Sequence, residues 1–433
     1  MTTVEIKSEG SDYKYAQLGE AVVGWNKEVV IGVAIQGSYG ETSETAAKTE
    51  LTRLFKLKEA ESANSIDGFK KVMKEKADMS FYMNMSSIYN MQQGGGAEAM
   101  MLAGLKKLYD GAYYTATANF ENGKITGEMK SYSSEALTKI INKYSWDGVD
   151  LAMLEKYPSA NIDGFALANF DLRMIGDILK EAGMDGLVNM GLSQSGLTLD
   201  DILKAFKGEI VAVASDFATV KKTSEWDSTY TYDEPQVKWL VSLKVGDKAA
   251  FDKVMSSQVG QEAFVKQGDT YVLKDEMAAM GKFSVHIDAK AIVVASDAAL
   301  QAEYIAGKGK ATLPAEATAD AKGKTGVFYV DLEKILGSAP LDGIGNADVE
   351  TDLKSLFKDI KGVTGKPSGN VSTGSVVVNF KNKEQNALAQ LINFGLKAQK
   401  AIEAKQEEQR KKWAAEDSAT EAIMVDTVAA PAF

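Results

Sequence analysis

A chain of 433 residues, 45% hydrophobic and 25% charged, is long enough for two or three packed domains and too apolar for wholesale disorder. Its net charge of −11 repels polyphosphate. Its lysines alternate with acids, as in KKVMKEKAD (70–78) and KQEEQRKKWAAED (405–417), so no basic stripe is present and nucleic acid is excluded as a partner. With no cysteine there is no disulfide, no thiolate nucleophile and no thiolate metal site. No run approaches the ~18 apolar residues of a membrane-spanning helix. The start, MTTVEIKSEGSDYKY, lacks the basic-then-apolar pattern of a signal peptide. The expectation is a cytoplasmic protein, or one whose export signal lies outside this chain.

In chain order, strand-like runs at 20–25 and 29–35 lead through GSYGETSET (37–45) to a helical stretch at 46–61, with Leu51, Leu54, Phe55 and Leu57 near one face. A short helix at 66–76, a strand at 79–85 and a helical turn from Ser86 follow. QQGGG (92–96) breaks the chain before a helix at 98–109. YYTATANF (113–120) and KITGEMKSY (124–132) read as strands joined by Asn122-Gly123, a pair that tolerates the positive φ of a two-residue hairpin turn. Ser133 or Ser134 caps the next helix, whose Leu137, Ile140, Ile141 and Tyr144 follow the helical period.

Strands followed by a packing helix recur at 237–257, 282–307 and 374–396. A second pattern, an apolar strand and then an amphipathic turn, recurs as MSFYMNMSSIYNM (79–91), GFALANFDLRMIGDIL (164–179) and GVFYVDLEKILGS (326–338). Two patterns recurring in the same order point to duplicated modules. The expected fold class is α+β, with repeated modules of mainly antiparallel sheet and helices packed on one face. Thr198 or Asp200 starts a helix that Gly208 stops, ahead of a strand at 210–214. SEWDSTYTYDEP (224–235) reads as an aromatic, acidic hairpin or loop. AGKGKATLPAEATADAKGK (306–324) is the most linker-like stretch. The domain reading is an N-terminal module at 1–158, a middle module at 159–310, a C-terminal module at 311–396, and a charged, solvated helix and tail at 397–433.

Chemistry-bearing groups are sparse. His286 stands alone in KFSVHID, on the face of Ser284 and Asp288 and away from Phe283, Val285 and Ile287, an exposed strand position without the partner spacing of a triad. The acidic pairs Asp147/Asp150, Asp200/Asp201 and Asp233/Glu234 are candidates for acid–base or calcium roles. However, DGVDLAMLE (147–155) lacks the ligand alternation of a calcium loop, and Asp200/Asp201 suit the first turn of a helix. Gly94–Gly96 and Gly307–Lys310 do not fit a phosphate loop. The distinctive feature is methionine: Met79, Met83, Met85, Met91, Met100 and Met101 flank the glycine run, and thioethers suit adaptable apolar surfaces.

ANFENGKI followed by LTKIINKYSWDG, KYPSANIDGFALANFDLRMIGDIL, LTLDDILKAFKGEIVAVASDF, VSLKVGDKAAFDKVM and VASDAALQAEYIAGK stand in an order that resembles the Bacteroidota lipoprotein family of unknown function numbered 4836, from about Tyr13 to about Phe394. The resemblance implies an exported, membrane-anchored α+β protein of the periplasm or outer membrane. It carries no catalytic residue, and the lipid-accepting cysteine is absent from this chain, so peripheral membrane association would run through an anchor this chain lacks. The expected function is a non-catalytic cell-envelope protein that binds an apolar ligand or protein partner through a sheet concavity or a Met-rich flap at Met83, Tyr89, Met91, Met100 and Met101. The alternatives are a carboxylate-based hydrolase, or a structural or assembly component of the envelope that makes contacts through the charged C-terminal helix. No cofactor and no metal is called for.

Overall fold

A computed structural model of the chain describes residues 4–9, 12–18, 21–34, 43–85, 97–224, 226–274, 283–341 and 346–428. The chain divides into two compact units, Met1–Glu75 and Lys76–Phe433. The fold is α+β, and every strand pairing among the described residues is antiparallel.

The first unit is a four-stranded meander of β1 (Lys7–Glu9), β2 (Tyr13–Leu18), β3 (Ala21–Trp25) and β4 (Val30–Ala34), followed by α1 (Ser43–Phe55) and α2 (Asp67–Met73). Ala47 and Leu51, one helical turn apart on α1, are buried against Tyr13, Tyr15, Val22 and Val33. Tyr13 stacks on Phe55 at 4.3 Å. Gly24 admits the helix, since a Cβ there would meet Leu51 Cδ2 at 2.6 Å. The sequence-based helix to residue 61 stops at Phe55, because KLKEAES carries no apolar stripe for the sheet, and Ser62 starts a separate turn by accepting the Asn64 amide.

The second unit repeats one order of elements. Its first copy is β5 (Met79–Asn84), α3 (Ala97–Leu108), β6 (Tyr113–Glu121), β7 (Lys124–Tyr132) and α4 (Glu135–Ile141), after which comes α5 (Ala152–Glu155). The second is β8 (Ile162–Phe170), α6 (Arg173–Glu181), α7 (Asp185–Ser193), α8 (Leu199–Ala205), β9 (Phe206–Thr223), β10 (Thr231–Val245) and α9 (Lys248–Ser256). After α10 (Gln258–Ala263) and β11 (Phe264–Gln267), a shorter version places β12 (Thr270–Leu273), β13 (Ser284–Asp288), β14 (Ala291–Ala295) and α11 (Ala298–Ile305). After α12 (Ala315–Thr318), the last copy is β15 (Gly326–Val330), α13 (Leu332–Ser338), α14 (Ala347–Leu356), β16 (Phe357–Thr364), β17 (Val371–Phe380) and α15 (Ala387–Val428).

These copies build a thirteen-stranded sheet in the order β11-β12-β13-β14-β10-β9-β8-β15-β16-β17-β7-β6-β5. Neighbouring copies meet first strand to first strand (β8 with β15) or third strand to third strand (β10 with β14, β17 with β7). Directly paired residues share a face. One face carries Phe165, Leu167, Val211, Val213, Leu240, Val327 and Tyr329, buried against Met153 and Leu154 of α5, Leu300 and Tyr304 of α11, and Ala317 of α12. The other face is covered at its margins, by Leu356 of α14 and Leu391 of α15 over Phe120, Ile125 and Val378, and by Phe251 and Met255 of α9 over Val285 and Ile287.

Local chemistry explains several boundaries. Gly123 takes φ +67° in the hairpin between β6 and β7, and a Cβ there would meet Lys383 Cα at 2.6 Å. Of the two candidate caps of α4, Ser134 is the one that accepts from Leu137 N. Thr198 and Asp201 form a reciprocal capping box at the start of α8. Gly208 does not stop that helix. The helix ends at Ala205, and Gly208 lies inside β9, where a Cβ would stand 1.8 Å from the Phe170 carbonyl oxygen of β8. The glycine serves close strand approach rather than a helix stop. The stretch 306–324 is packed rather than loose: Lys310 and Ala311 amides donate to the Tyr157 carbonyl, and Ala317 and Ala321 are buried.

Candidate functional site

Between the marginal helices, the second face of the sheet bears mostly small side chains. One cross-strand row runs Val241, Ala212, Ala166, Phe328, Gly362, Val376, Gly127, Ala118, Met79. The adjacent row runs Ala168, Gly326, Thr364, Gly374, Met129, Ala116, Phe81. Two large side chains lean over the glycines of these rows. A Cβ on Gly362 would collide with the Phe328 ring at 2.3 Å, and Met129 Cε reaches to 3.6 Å from where a Gly374 Cβ would be. Alanine and glycine make an apolar floor, from which Met79, Phe81 and Met129 stand exposed.

The floor has two hollows. The first, of about 550 Å³, lies over β8, β9, β10 and β15, with Ala166, Ala212 and Ala214 below, Trp239, Val241 and Phe328 around them, and Ile335 of α13 at one side. The second, of about 530 Å³, lies toward β5, where Phe81, Met83, Tyr114 and Met129 meet Leu137 and Ile141 of α4. Phe81, Tyr114 and Met129 are exposed there. An apolar concavity with few polar groups is the general form of a lipid or small-molecule site.

Met83 thus lines the second hollow, together with Met85. Tyr89 and Met91 lie outside the described residues; Met100 and Met101 are on α3, with side chains outside the described set. Sequence reasoning missed Trp239, Phe328 and the alanines of β8 and β9. The available signal was the strict alternation of large and small residues in Phe165-Ala166-Leu167-Ala168 and Val211-Ala212-Val213-Ala214, which gives one face bulk and the other a floor.

The titratable groups are engaged in structure. Asp163, 2% exposed, accepts from the Phe217 amide at 2.7 Å. Burial raises its pKa, and that amide and Lys334 oppose the rise. Asp216, at φ +55°, accepts from Ser159 Oγ at 3.1 Å and Ser215 Oγ at 3.0 Å, and Lys238 lies 3.8 Å away. Tyr157 OH meets Ser215 Oγ at 2.8 Å, and burial pushes its phenol up to about 12. Together these groups hold two adjoining bulges, one in β9 at Asp216–Phe217 against β10 and one in β8 at Asp163 against β9.

Asp150 pairs with Lys244 at 3.0 Å, and Lys244 also bonds Glu209. Burial disfavours the Lys244 ammonium, but the two carboxylates outweigh it and raise its pKa. Asp201 pairs with Lys253 at 2.6 Å, Asp233 with Lys221 at 3.2 Å, and Glu234 with Lys222. Asp147 borders a polar cleft of about 460 Å³ with Arg173, Lys204, Lys207 and Asp247. Asp359, buried in β16, accepts from Asn379 at 2.6 Å through one oxygen, while no described group donates to the other; Lys358 lies 3.7 Å from it.

His286 is half-buried rather than exposed, because α11 covers its face: Ser284 Oγ bonds Gln301 of that helix at 2.8 Å, and the imidazole has Asp288 at 3.4 Å. Among the described residues no cluster of three or more His, Cys, Asp or Glu side chains is arranged to hold a metal ion. No described helix is long and apolar enough to cross a membrane.

Residues 2–388 match the sequence model of a family described as "Domain of unknown function (DUF4836)". No curated protein matches the chain. Among solved structures, "Structure of crystal form I of TP0453" aligns at 8% identity and a TM-score of 0.25, covering 59% of this chain and 98% of that one, too slight a likeness to carry an argument.

Proposed function

This chain belongs to the DUF4836 family, and we propose that it is a non-catalytic cell-envelope protein that holds an apolar ligand on the small-residue face of its large sheet. The observation that carries the reading is the floor of Ala166, Ala212 and Ala214 beneath Trp239, Val241 and Phe328, about 550 Å³ in volume. Water against such a surface is released when an aliphatic chain replaces it, at roughly 25 cal/mol per Å² of apolar area. Met83 and Met129 in the second hollow supply side chains that reshape around ligands of different outline. A place in the periplasm or at the outer membrane is part of this proposal and rests on the family resemblance.

The acidic groups favour binding over hydrolysis. Asp150, Asp201 and Asp233 are neutralised by lysines. None of these pairs leaves a carboxylate poised to exchange protons with a substrate.

The test uses a neutral fluorescent apolar probe, N-phenyl-1-naphthylamine. Its emission should rise on mixing with the wild-type protein, and Ala166→Phe, which fills the first hollow, should lower that rise several-fold with an unchanged melting temperature. Equal probe uptake by the two proteins would overturn the reading.

A further inference from the structure

The hairpin of β9 and β10 outruns the sheet. β8 pairs with β9 only as far as Ser215, and β14 with β10 only as far as Leu240. Beyond them, Ala218–Thr223 and Thr231–Gln236 pair with each other. At ~3.3 Å per residue this makes a two-stranded ribbon about 20 Å long. Its base is fixed by the bulge at Asp216 and by the Asp163–Phe217 bond. Across its tip Ser224 N donates to Tyr230 O at 2.8 Å and Tyr230 N to Asp227 O at 3.0 Å.

That tip presents Trp226, 96% exposed, with Tyr230 and Tyr232, also exposed, their two rings 6.3 Å apart. An indole held out at a hairpin tip exposes far more apolar surface than its local fold requires. We propose that this aromatic tip is an interfacial anchor that inserts into the headgroup region of a zwitterionic lipid bilayer.

The chemistry favours lipid over a protein. Tryptophan and tyrosine combine an apolar ring with a polar edge, which suits the boundary between acyl chains and headgroups. Three rings of roughly 150–250 Å² each, the two tyrosines only partly exposed, fall short of the ~800 Å² per partner of a stable protein interface. A bilayer requires no complementary surface. Charge selects the kind of bilayer. Residues 221–234 hold Lys221 and Lys222 against Glu225, Asp227, Asp233 and Glu234, a net of 2 − 4 = −2. The two lysines are paired to Asp233 and Glu234, so little attraction to anionic lipid remains. The proposal is independent of the apolar floor.

The experiment is flotation of the full chain with phosphatidylcholine vesicles, alongside the variant Trp226→Ser/Tyr230→Ser/Tyr232→Ser. The wild type should float with the vesicles at both 0.1 and 0.5 M salt, conditions chosen because screening separates charge-driven from apolar binding. The triple variant should lose at least about fivefold in bound fraction, about 1 kcal/mol. The fluorescence lost in Trp226→Phe should be the part that blue-shifts and is quenched by brominated lipid. Ala166→Phe should float as the wild type does. Failure of the wild type to bind phosphatidylcholine, equal binding by the triple variant at matched melting temperature, or binding confined to phosphatidylglycerol and abolished by salt would each overturn the proposal.

Discussion

The ring of Phe328 on β15 occupies the space above Gly362 on β16: a Cβ at Gly362 would lie 2.3 Å from Phe328 Cε1 and 2.8 Å from Cζ. The aromatic ring takes the place of the missing side chain, which keeps the floor low and gives the glycine backbone apolar cover.

Gly362→Ala therefore lifts the Phe328 ring toward the first hollow. We expect a loss of stability of roughly 1–3 kcal/mol, the usual cost of overpacking, together with weaker uptake of the neutral probe. Adding Phe328→Leu should restore part of the stability, since the Ser375 carbonyl oxygen still lies 2.8 Å from the new Cβ. Thermal melting and probe titration of both variants check this, and an unchanged single variant would contradict the close contact.

Gly208→Ala should be worse tolerated. Its Cβ would fall 1.8 Å from the Phe170 carbonyl oxygen, a backbone atom that no rotamer change can move. The expected cost is at or above the upper end of the ~1–3 kcal/mol overpacking range, read as a lower urea midpoint. Gly186→Ala, in α7 where a Cβ meets nothing within 4 Å, is the control and should be neutral or slightly stabilising.

Asp201 supplies a pH dependence. The hydrogen bond from Lys253, then that from Thr198, draws its pKa down to about 2. Its folded value lies below the unfolded one of ~3.9, so its contribution is complete above about pH 4 and is lost as pH falls toward 2. The stability gap between wild type and Asp201→Asn should be constant from pH 5 to 7 and shrink below about pH 4. A gap that widened on acidification would contradict the sign. Thr198→Ala, which removes the cap, should cost ~1 kcal/mol at neutral pH.

Ser215→Ala takes away the hydroxyl that meets Tyr157 OH, deep in the core. A buried phenol deprived of its partner costs roughly 1–3 kcal/mol. Tyr157→Phe in the same chain should recover part of that loss, so a double-mutant cycle by chemical denaturation should give a non-zero coupling.

Much of the architecture was legible because it depends on local signals. Asn122-Gly123, the Thr198 cap, the two recurring strand–helix patterns and the charged helix after Leu396 are set by residues within a few positions of one another. β1 and β2 carry a weaker signal: Tyr13-Lys14-Tyr15 alternates buried and exposed positions, but so short a run is overshadowed by its charged surroundings. Gly208 resembles a helix stop in sequence because the Phe170 oxygen it accommodates comes from another strand. The candidate site was legible in part. Met83 lies on it, but Trp239, Phe328 and Met129 come together only through pairings between distant strands, which no local period encodes.

The head-to-head and tail-to-tail joining of the copies has a consequence for synthesis on the ribosome. β8 and β7 are made early, yet each borders a strand from residues 326–380 in the finished sheet. Until that last segment emerges, two early strands keep raw edges, the kind of surface that seeds intermolecular pairing. A nascent chain halted near residue 310 would be two unfinished half-sheets, and the segment that follows is the wedge that joins them.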